Sequence, residues 1–375
     1  MHFLDAERAT LEQFLPGLDD KLAQVPLAEL ERPGNPALSV FKSVGGPSLL
    51  VPVAQGGCGA DALQAVRVQR AIGARSPSLA VATTMHHFSV ASLSEADLGD
   101  GFEWMLLEGI ATRQLLVASG FAEGGTADTV LRPALRAVRR GGDLIVTGSK
   151  KPCSLSRSMD LMTASVTVAD EDGLDRMAVV VIPADSPGVD VRPFWNSWVL
   201  GGAESDEVVL TDVVVPQRLV VMSEKVADGR PDRLQTSGFV WFELLAAASY
   251  LGAVSALVER VLRPGRGSAA DRAGLIVEVE AAMAMLEGVA YAKASGEPAQ
   301  ELLARVLCTR YAVQDAIARV SNRALELLGG KDFIESGDSA YLAAASAGLM
   351  FHPPSRSRMS DALCDHFAGR PLRIG

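Results

Sequence analysis

The chain has 375 residues, 48% of them hydrophobic and 21% charged; at roughly 100–200 residues per domain that length allows two or three domains, and the apolar content excludes disorder. The formal charge is −10 and no Lys/Arg run stands out, which argues against nucleic acid as a partner. Four scattered cysteines (Cys58, Cys153, Cys308, Cys364) form no CxxC pair, so neither a structural zinc site nor a secreted disulfide framework is expected.

Residues 1–112 read as helices joined by Gly/Pro-rich turns. The opening MHFLDAERATLEQFLPGLDD is amphipathic and acidic, without the basic start and apolar core of a signal peptide, so a cytoplasmic protein is expected. ALQAVRVQRAIGA carries helical periodicity, and SPSLAVATTMHHFSVASLSEA opens on a Ser-Pro helix start. Between residues 45 and 61 lies a loop in which Gly57-x-Gly59-x-x-Ala62 nominally fits a dinucleotide fingerprint. Pro52 interrupts the supposed strand before it and no βαβα alternation follows, so the loop reads as a turn into the next helix. His86 and His87 adjoin on a helix and point about 100° apart, so only one can face a given pocket.

From 113 to 228 the character changes. RQLLVASGFA, GDLIVTGSK, MDLMTASVTVAD, RMAVVVIPA and DEVVLTDVVVP are short β-rich runs split by RRGGD, DEDG and ADSPG turns. Strands at short spacing without intervening helices indicate a small antiparallel barrel or sandwich. SKKPCSLS (149–156) reads on composition as a solvated turn, since Lys150 and Lys151 alone are too few for an anion site.

Residues 229–375 return to long Ala/Leu-rich helices, the pattern of a helical bundle. The run 238–258 could span a bilayer by length, but it contains Glu243 and lacks a flanking positive cluster, so a buried bundle helix and no membrane partner are expected. A lone carboxylate in such a helix is either paired with an Arg elsewhere or held near neutrality as a general base. His352, in LMFHPPSRS, is either a solvent-facing loop residue or a functional imidazole at a helix end. LELLGGKDF (325–333) closes a helix on Gly329-Gly330, an ordinary stop that also permits close approach of another molecule. With His2 and His366 remaining, no metal constellation emerges.

In order, these pieces resemble the acyl-CoA dehydrogenase superfamily of flavoproteins, in a divergent form of secondary-metabolism type. LLVPVAQGGCGADALQAVRVQRAIGARSPSLAVA resembles the family's vPe-x-GG-x-G loop and helices, and SGFAEGGTAD (119–128) its T-E-P-x-A-G-S-D flavin-contacting stretch. VTGSKKPCSLS is similar to G-x-K-x-W-I-T-N, EVVLTDVVVPQRLVV to F-x-D-V-x-V-P, and ELLGGKDF to Q-x-L-G-G-x-G-F. The resemblance covers nearly the whole chain and implies an α+β fold: an N-terminal helical domain (1–112), a central antiparallel β-barrel (113–228) and a C-terminal four-helix bundle (229–375). It implies FAD, contacted by Ser119, Phe121, Gly124, Gly125, Cys153 and Ser154, with Glu326, Gly329 and Gly330 toward the pyrophosphate of a neighbouring subunit in a homodimer or homotetramer.

The departures bear on chemistry. MFHPPS stands where most members carry I-Y-E-G-T, so His352 occupies the place of the catalytic Glu, and Pro152 replaces the tryptophan that flanks the flavin. Some members carry the base on the first bundle helix, where Glu243 falls. That implies α,β-dehydrogenation of an acyl thioester, on CoA or a carrier protein, with an electron acceptor. Another branch performs oxygen chemistry with flavin from a partner reductase; His352, His87 and Ser154 would serve it. A third expectation is a binding subunit without catalysis.

Overall fold

The computed structural model describes residues 2–96, 102–122, 133–169, 173, 175–224 and 231–374. The N-terminal part holds α1 (Asp5–Phe14), α2 (Leu18–Ala23), α3 (Leu27–Leu30), α4 (Ala37–Ser43), α5 (Ala62–Arg75), α6 (Pro77–Glu95) and α7 (Phe102–Arg113). Side chains set where the two longest begin. Asp61 accepts from the Gln64 amide while Gln64 caps Asp61 in return, and Ser76 accepts from the Leu79 amide with Pro77 in the first turn. The glycine loop closes on itself: a Cβ at Gly57 would lie 2.0 Å from the Val51 carbonyl oxygen, so its glycine serves chain packing.

Eight strands follow among the described residues: β1 (Val117–Gly120), β2 (Arg136–Arg140), β3 (Asp143–Cys153), β4 (Leu161–Ala169), β5 (Asp175–Pro183), β6 (Val189–Arg192), β7 (Asp206–Pro216) and β8 (Val220–Met222). They form one sheet in the order β6-β7-β3-β2-β4-β5-β8, with β1 also on β4. The sheet is mixed rather than purely antiparallel. β1 runs parallel to β4 over Leu161–Ala164, and β2 runs parallel to it over Thr167–Val168. Direction escapes sequence reading here because parallel partners are joined by long connections that leave no hairpin signal. Lys150 also departs from the solvated-turn reading: it is buried in the sheet, where Nζ donates to Ser165 Oγ at 3.1 Å.

The C-terminal part comprises α8 (Arg233–Leu262), α9 (Ala269–Ala294), α10 (Ala299–Glu335), α11 (Gly337–Ser346) and α12 (Arg356–Phe367). The long apolar helix is α8, and 94% of its most hydrophobic window is buried inside the protein. Helices α5, α6, α9, α10 and α11 all pack against it. At the α5–α8 crossing both helices carry glycine because the backbones meet: a Cβ on Gly73 would stand 2.2 Å from the Ser249 carbonyl oxygen, and one on Gly252 2.3 Å from that of Arg70. This close crossing fixes α8 against the N-terminal helices and thereby sets which of its residues face the sheet.

Candidate functional site

Between the sheet, α6, α8 and the turn after α11 lies a cavity of about 490 Å³, within the ordinary size of a small-molecule or cofactor pocket. The sheet side presents hydroxyls: Ser119 from β1, Ser154 just after β3, Thr163 from β4 and Ser205 just before β7. The helical side is apolar, with Val81, Met85 and Phe88 from α6 and Phe239 and Phe242 from α8. Asp232, Tyr250 and His352 are the ionisable side chains on the described wall. Asp232 is committed to capping α8 through Gln235.

His352 is half-buried and reaches the cavity from the Pro-Pro turn. Its Nε2 shares a 2.8 Å hydrogen bond with the Tyr250 hydroxyl, and its ring meets Phe242 edge-on with centroids 5.6 Å apart. Burial, together with the nearby Arg310 guanidinium, lowers its pKa to about 4, and burial pushes the Tyr250 phenol up. The pair is therefore uncharged at neutral pH. Tyr250 needs a glycine opposite it: a Cβ on Gly348 would meet the ring Cε1 at 2.6 Å.

Glu243 lies on α8 but does not line the cavity. It is buried and faces Arg310 of α10, with Oε2 3.1 Å from Nε. Burial raises its pKa to about 7, and Arg310 opposes the rise. The rest of the Arg310 guanidinium holds the turn that carries His352. Nη1 donates to the Pro354 carbonyl at 2.5 Å, and Nη2 to those of Leu349 (2.9 Å) and His352 (2.6 Å). Glu243 thus combines both expected features, an arginine partner and a carboxyl raised toward neutrality. Arg310 and Tyr250 are the site residues that sequence reasoning missed. The surplus of one buried acid in α8 was the available hint for an arginine partner.

His87 is fully buried and off the cavity wall, wedged against Phe41 and His86. Neither of its ring nitrogens has a hydrogen-bond partner among the described residues, and burial holds its pKa well below the usual range. His86 is structural: Nδ1 accepts from the Val117 amide at 3.0 Å, which leaves Nε2–H to donate to the Pro47 carbonyl at 2.9 Å. It ties α6 to β1.

Among the expected cofactor contacts, Ser119, Phe121 and Ser154 line the cavity, as does Pro152. Ser154 Oγ pairs with Ser205 Oγ at 2.9 Å. Cys153 sits behind the wall with its thiol donating to the Ser119 carbonyl, and burial pushes its pKa up to about 12, so it is no thiolate. Gly124 and Gly125 lie outside the described residues. Glu326, Gly329 and Gly330 do not line the cavity. Glu326 is exposed and paired with Arg323, and α10 breaks at Gly329, which adopts φ 78°. A flat ring system fits the main cavity: apolar side chains can cover its faces, and the row of serine and threonine hydroxyls can meet its polar edge. The described wall carries no Lys or Arg for a phosphate.

No family model matches the chain. An isobutylamine N-hydroxylase of Streptomyces viridifaciens is 49% identical over 378 residues, spanning 100% of both chains. A probable acyl-CoA dehydrogenase of Bacillus subtilis is 23% identical over 207 residues, covering 51% of this chain and 52% of its own. Among solved structures, KijD3 in complex with FMN and a dTDP-linked amino sugar superposes with a TM-score of 0.85, covering 97% of this chain and 94% of its own at 19% identity; that likeness shows the fold. With a full-length relative at this identity and the fold shared from end to end, the chain belongs to the acyl-CoA dehydrogenase superfamily, as a flavoenzyme of secondary-metabolism type.

Proposed function

We propose that this enzyme is a flavin-dependent monooxygenase that hydroxylates the nitrogen of a small aliphatic primary amine. The observation that carries this reading is the cavity wall itself. It presents a neutral His352–Tyr250 pair, while Glu243, the expected dehydrogenase base, is turned away and ion-paired. The full-length relative acts on isobutylamine, and the cavity is apolar enough to suit such a chain.

When bound, a reduced flavin from a partner reductase supplies the activation of oxygen. Ser119, Phe121, Ser154 and Thr163 would hold its ring against the sheet. That contact set reaches only the ring, which FMN and FAD share. The apolar helical wall excludes water and leaves a neutral amine as the favoured occupant. His352 enters the reaction as neutral imidazole, one ring nitrogen holding a proton and the other accepting a hydrogen bond. Tyr250 fixes which nitrogen faces inward. Arg310 keeps the turn from swinging out by binding three of its carbonyls.

The test is to supply chemically reduced FMN or FAD with oxygen and a panel of short alkylamines, and to look by mass spectrometry for a product one oxygen atom heavier. A panel without such a product overturns the reading. The second reading, dehydrogenation of an acyl thioester, draws on Glu243, whose pKa near 7 suits a base. It needs Glu243 to leave Arg310, and anaerobic bleaching of bound flavin by a thioester would favour it.

A further inference from the structure

A second, smaller cavity of about 310 Å³ adjoins the first and shares Trp195, Ser197 and Ser205 with it. Its wall is charged where the main cavity is apolar, and most of that charge is already matched. Asp206 pairs with Arg157 at 2.7 Å and accepts from the Phe194 amide. Arg32 pairs with Glu29 at 3.3 Å. Glu31 accepts hydrogen bonds from Ser76, Ser78 and the Tyr341 hydroxyl.

Glu204 is the exception. It is 9% exposed, Oε1 accepts from Ser158 Oγ at 3.0 Å, and Oε2 is buried without a hydrogen-bond partner among the described residues. It forms no ion pair among them either. Its backbone is held at φ 54°, the left-handed region that a glutamate seldom adopts, with Ser156 donating twice to its carbonyl. Glu204 lines the second cavity, and the next residue, Ser205, lines both. A buried carboxylate oxygen left open in this way calls for a donor from outside the chain.

An aliphatic amine supplies one. Its ammonium form, with a pKa near that of lysine at about 10, dominates at neutral pH, yet only the neutral amine carries the lone pair that N–O bond formation needs. Moving the cation into the apolar main cavity would strip its charge of water without giving it a partner. The proton has to leave first.

We propose that the second cavity receives the substrate as its ammonium ion and that Glu204 takes the proton before the neutral amine passes Trp195 and Ser205 into the main cavity. An N–H bond of the ammonium breaks with its electron pair remaining on nitrogen, an O–H bond forms on Oε2, and charge is conserved without any oxidant. Burial raises the Glu204 pKa against the opposing pull of Ser158 and Arg157, which makes the carboxylate a stronger proton acceptor. Trp195 and Trp198 on the same wall add aromatic faces suited to a cation. The assignment rests on the amine reading above.

Two of the four tryptophans line this cavity, so binding is read by tryptophan fluorescence on the full chain, with isobutylammonium chloride at neutral pH as the probe and isobutanol as its uncharged match. Glu204→Gln should weaken ammonium binding by about tenfold to a hundredfold, the range of a lost charge-assisted hydrogen bond, and leave isobutanol unchanged. Trp198→Ala, at an exposed position, should weaken it by roughly two- to fivefold and serves if Glu204→Gln misfolds. In hydroxylation with reduced flavin, Glu204→Gln should lose rate at neutral pH and regain it as pH approaches the pKa of the amine. Equal ammonium affinity in wild type and Glu204→Gln, or no ammonium binding at all, overturns the site. Hydroxylation with an unchanged pH profile in the variant removes the role of Glu204 and leaves the function intact. Binding that depends on Glu204 without any hydroxylation removes the function and leaves the site.

Discussion

Replacing Glu243 by Gln removes one buried charge while keeping the shape, so it isolates the ion pair with Arg310. Burial holds this carboxyl at about 7 in the folded protein, against about 4.3 in an unfolded chain. The native state thus binds the proton more tightly than the unfolded state does, and stability from this group falls as pH rises. The contribution is complete below about pH 4.3 and is lost through about pH 7; the shift is worth roughly 4 kcal/mol. His86, His87 and His352 act in the opposite sense, because burial lowers each of them. Their stabilisation is present above about pH 6.5 and is lost on acidification. The informative quantity is therefore the difference between wild type and Glu243→Gln in urea unfolding at pH 5 and pH 8. Wild type should lose about 2–3 kcal/mol relative to the variant over that interval. Parallel curves would refute the claim that Glu243 is held near neutrality by burial. Arg310→Met attacks the same pair from the other side. It strands the carboxylate and frees three carbonyls, so it should cost about 3–5 kcal/mol and move the Glu243 transition to higher pH.

His352→Ala should keep flavin binding but consume oxygen without hydroxylated product, measured as the ratio of product formed to oxygen consumed; unchanged coupling would remove His352 from the chemistry. Gly348→Ala forces the Tyr250 ring to move, costs about 1–3 kcal/mol by overpacking, and should lower coupling in the same assay while the cavity still binds flavin. His87→Leu replaces an imidazole whose nitrogens are buried without partners; relieving that cost, about 1–3 kcal/mol, should leave the urea midpoint level or higher, and a loss of coupling would place His87 in the reaction after all.

The α–β–α order was legible because each part carries its own periodicity, and the helix starts at Asp61 and Ser76 were legible because caps are local signals. Strands β2, β6 and β8 were not. Val138 in β2 is exposed, and β6 alternates half-buried with exposed residues, so neither shows the apolar run of a core strand. In the site, Ser119 and Ser154 were legible only through the family resemblance, whose motifs survive when the sheet folds as in relatives. Arg310 and Tyr250 escaped because their roles depend on which helix faces join between elements far apart in the chain. His87 was expected through the resemblance to the oxygen-using branch, and the neighbouring His86 rather than His87 is the ring that ties α6 to β1.

The placements of Glu243 and His352 are one fact rather than two. A single guanidinium binds the carboxylate on one side and the carbonyls of the His352 turn on the other. Its two tasks reinforce each other: neutralising Glu243 keeps an acid off the cavity wall, and gripping the turn puts an imidazole there instead. Lysine could not do both, because its single ammonium lacks the planar fork that reaches a carboxylate and several carbonyls at once. Arg310→Lys should therefore separate the roles. The positive charge persists beside Glu243, so stability should fall by less than in Arg310→Met, while the turn loses its fork and coupling should fall toward that of His352→Ala. Equal losses of stability and coupling in the two arginine variants would mean that charge alone, and not the geometry of the fork, holds the site together.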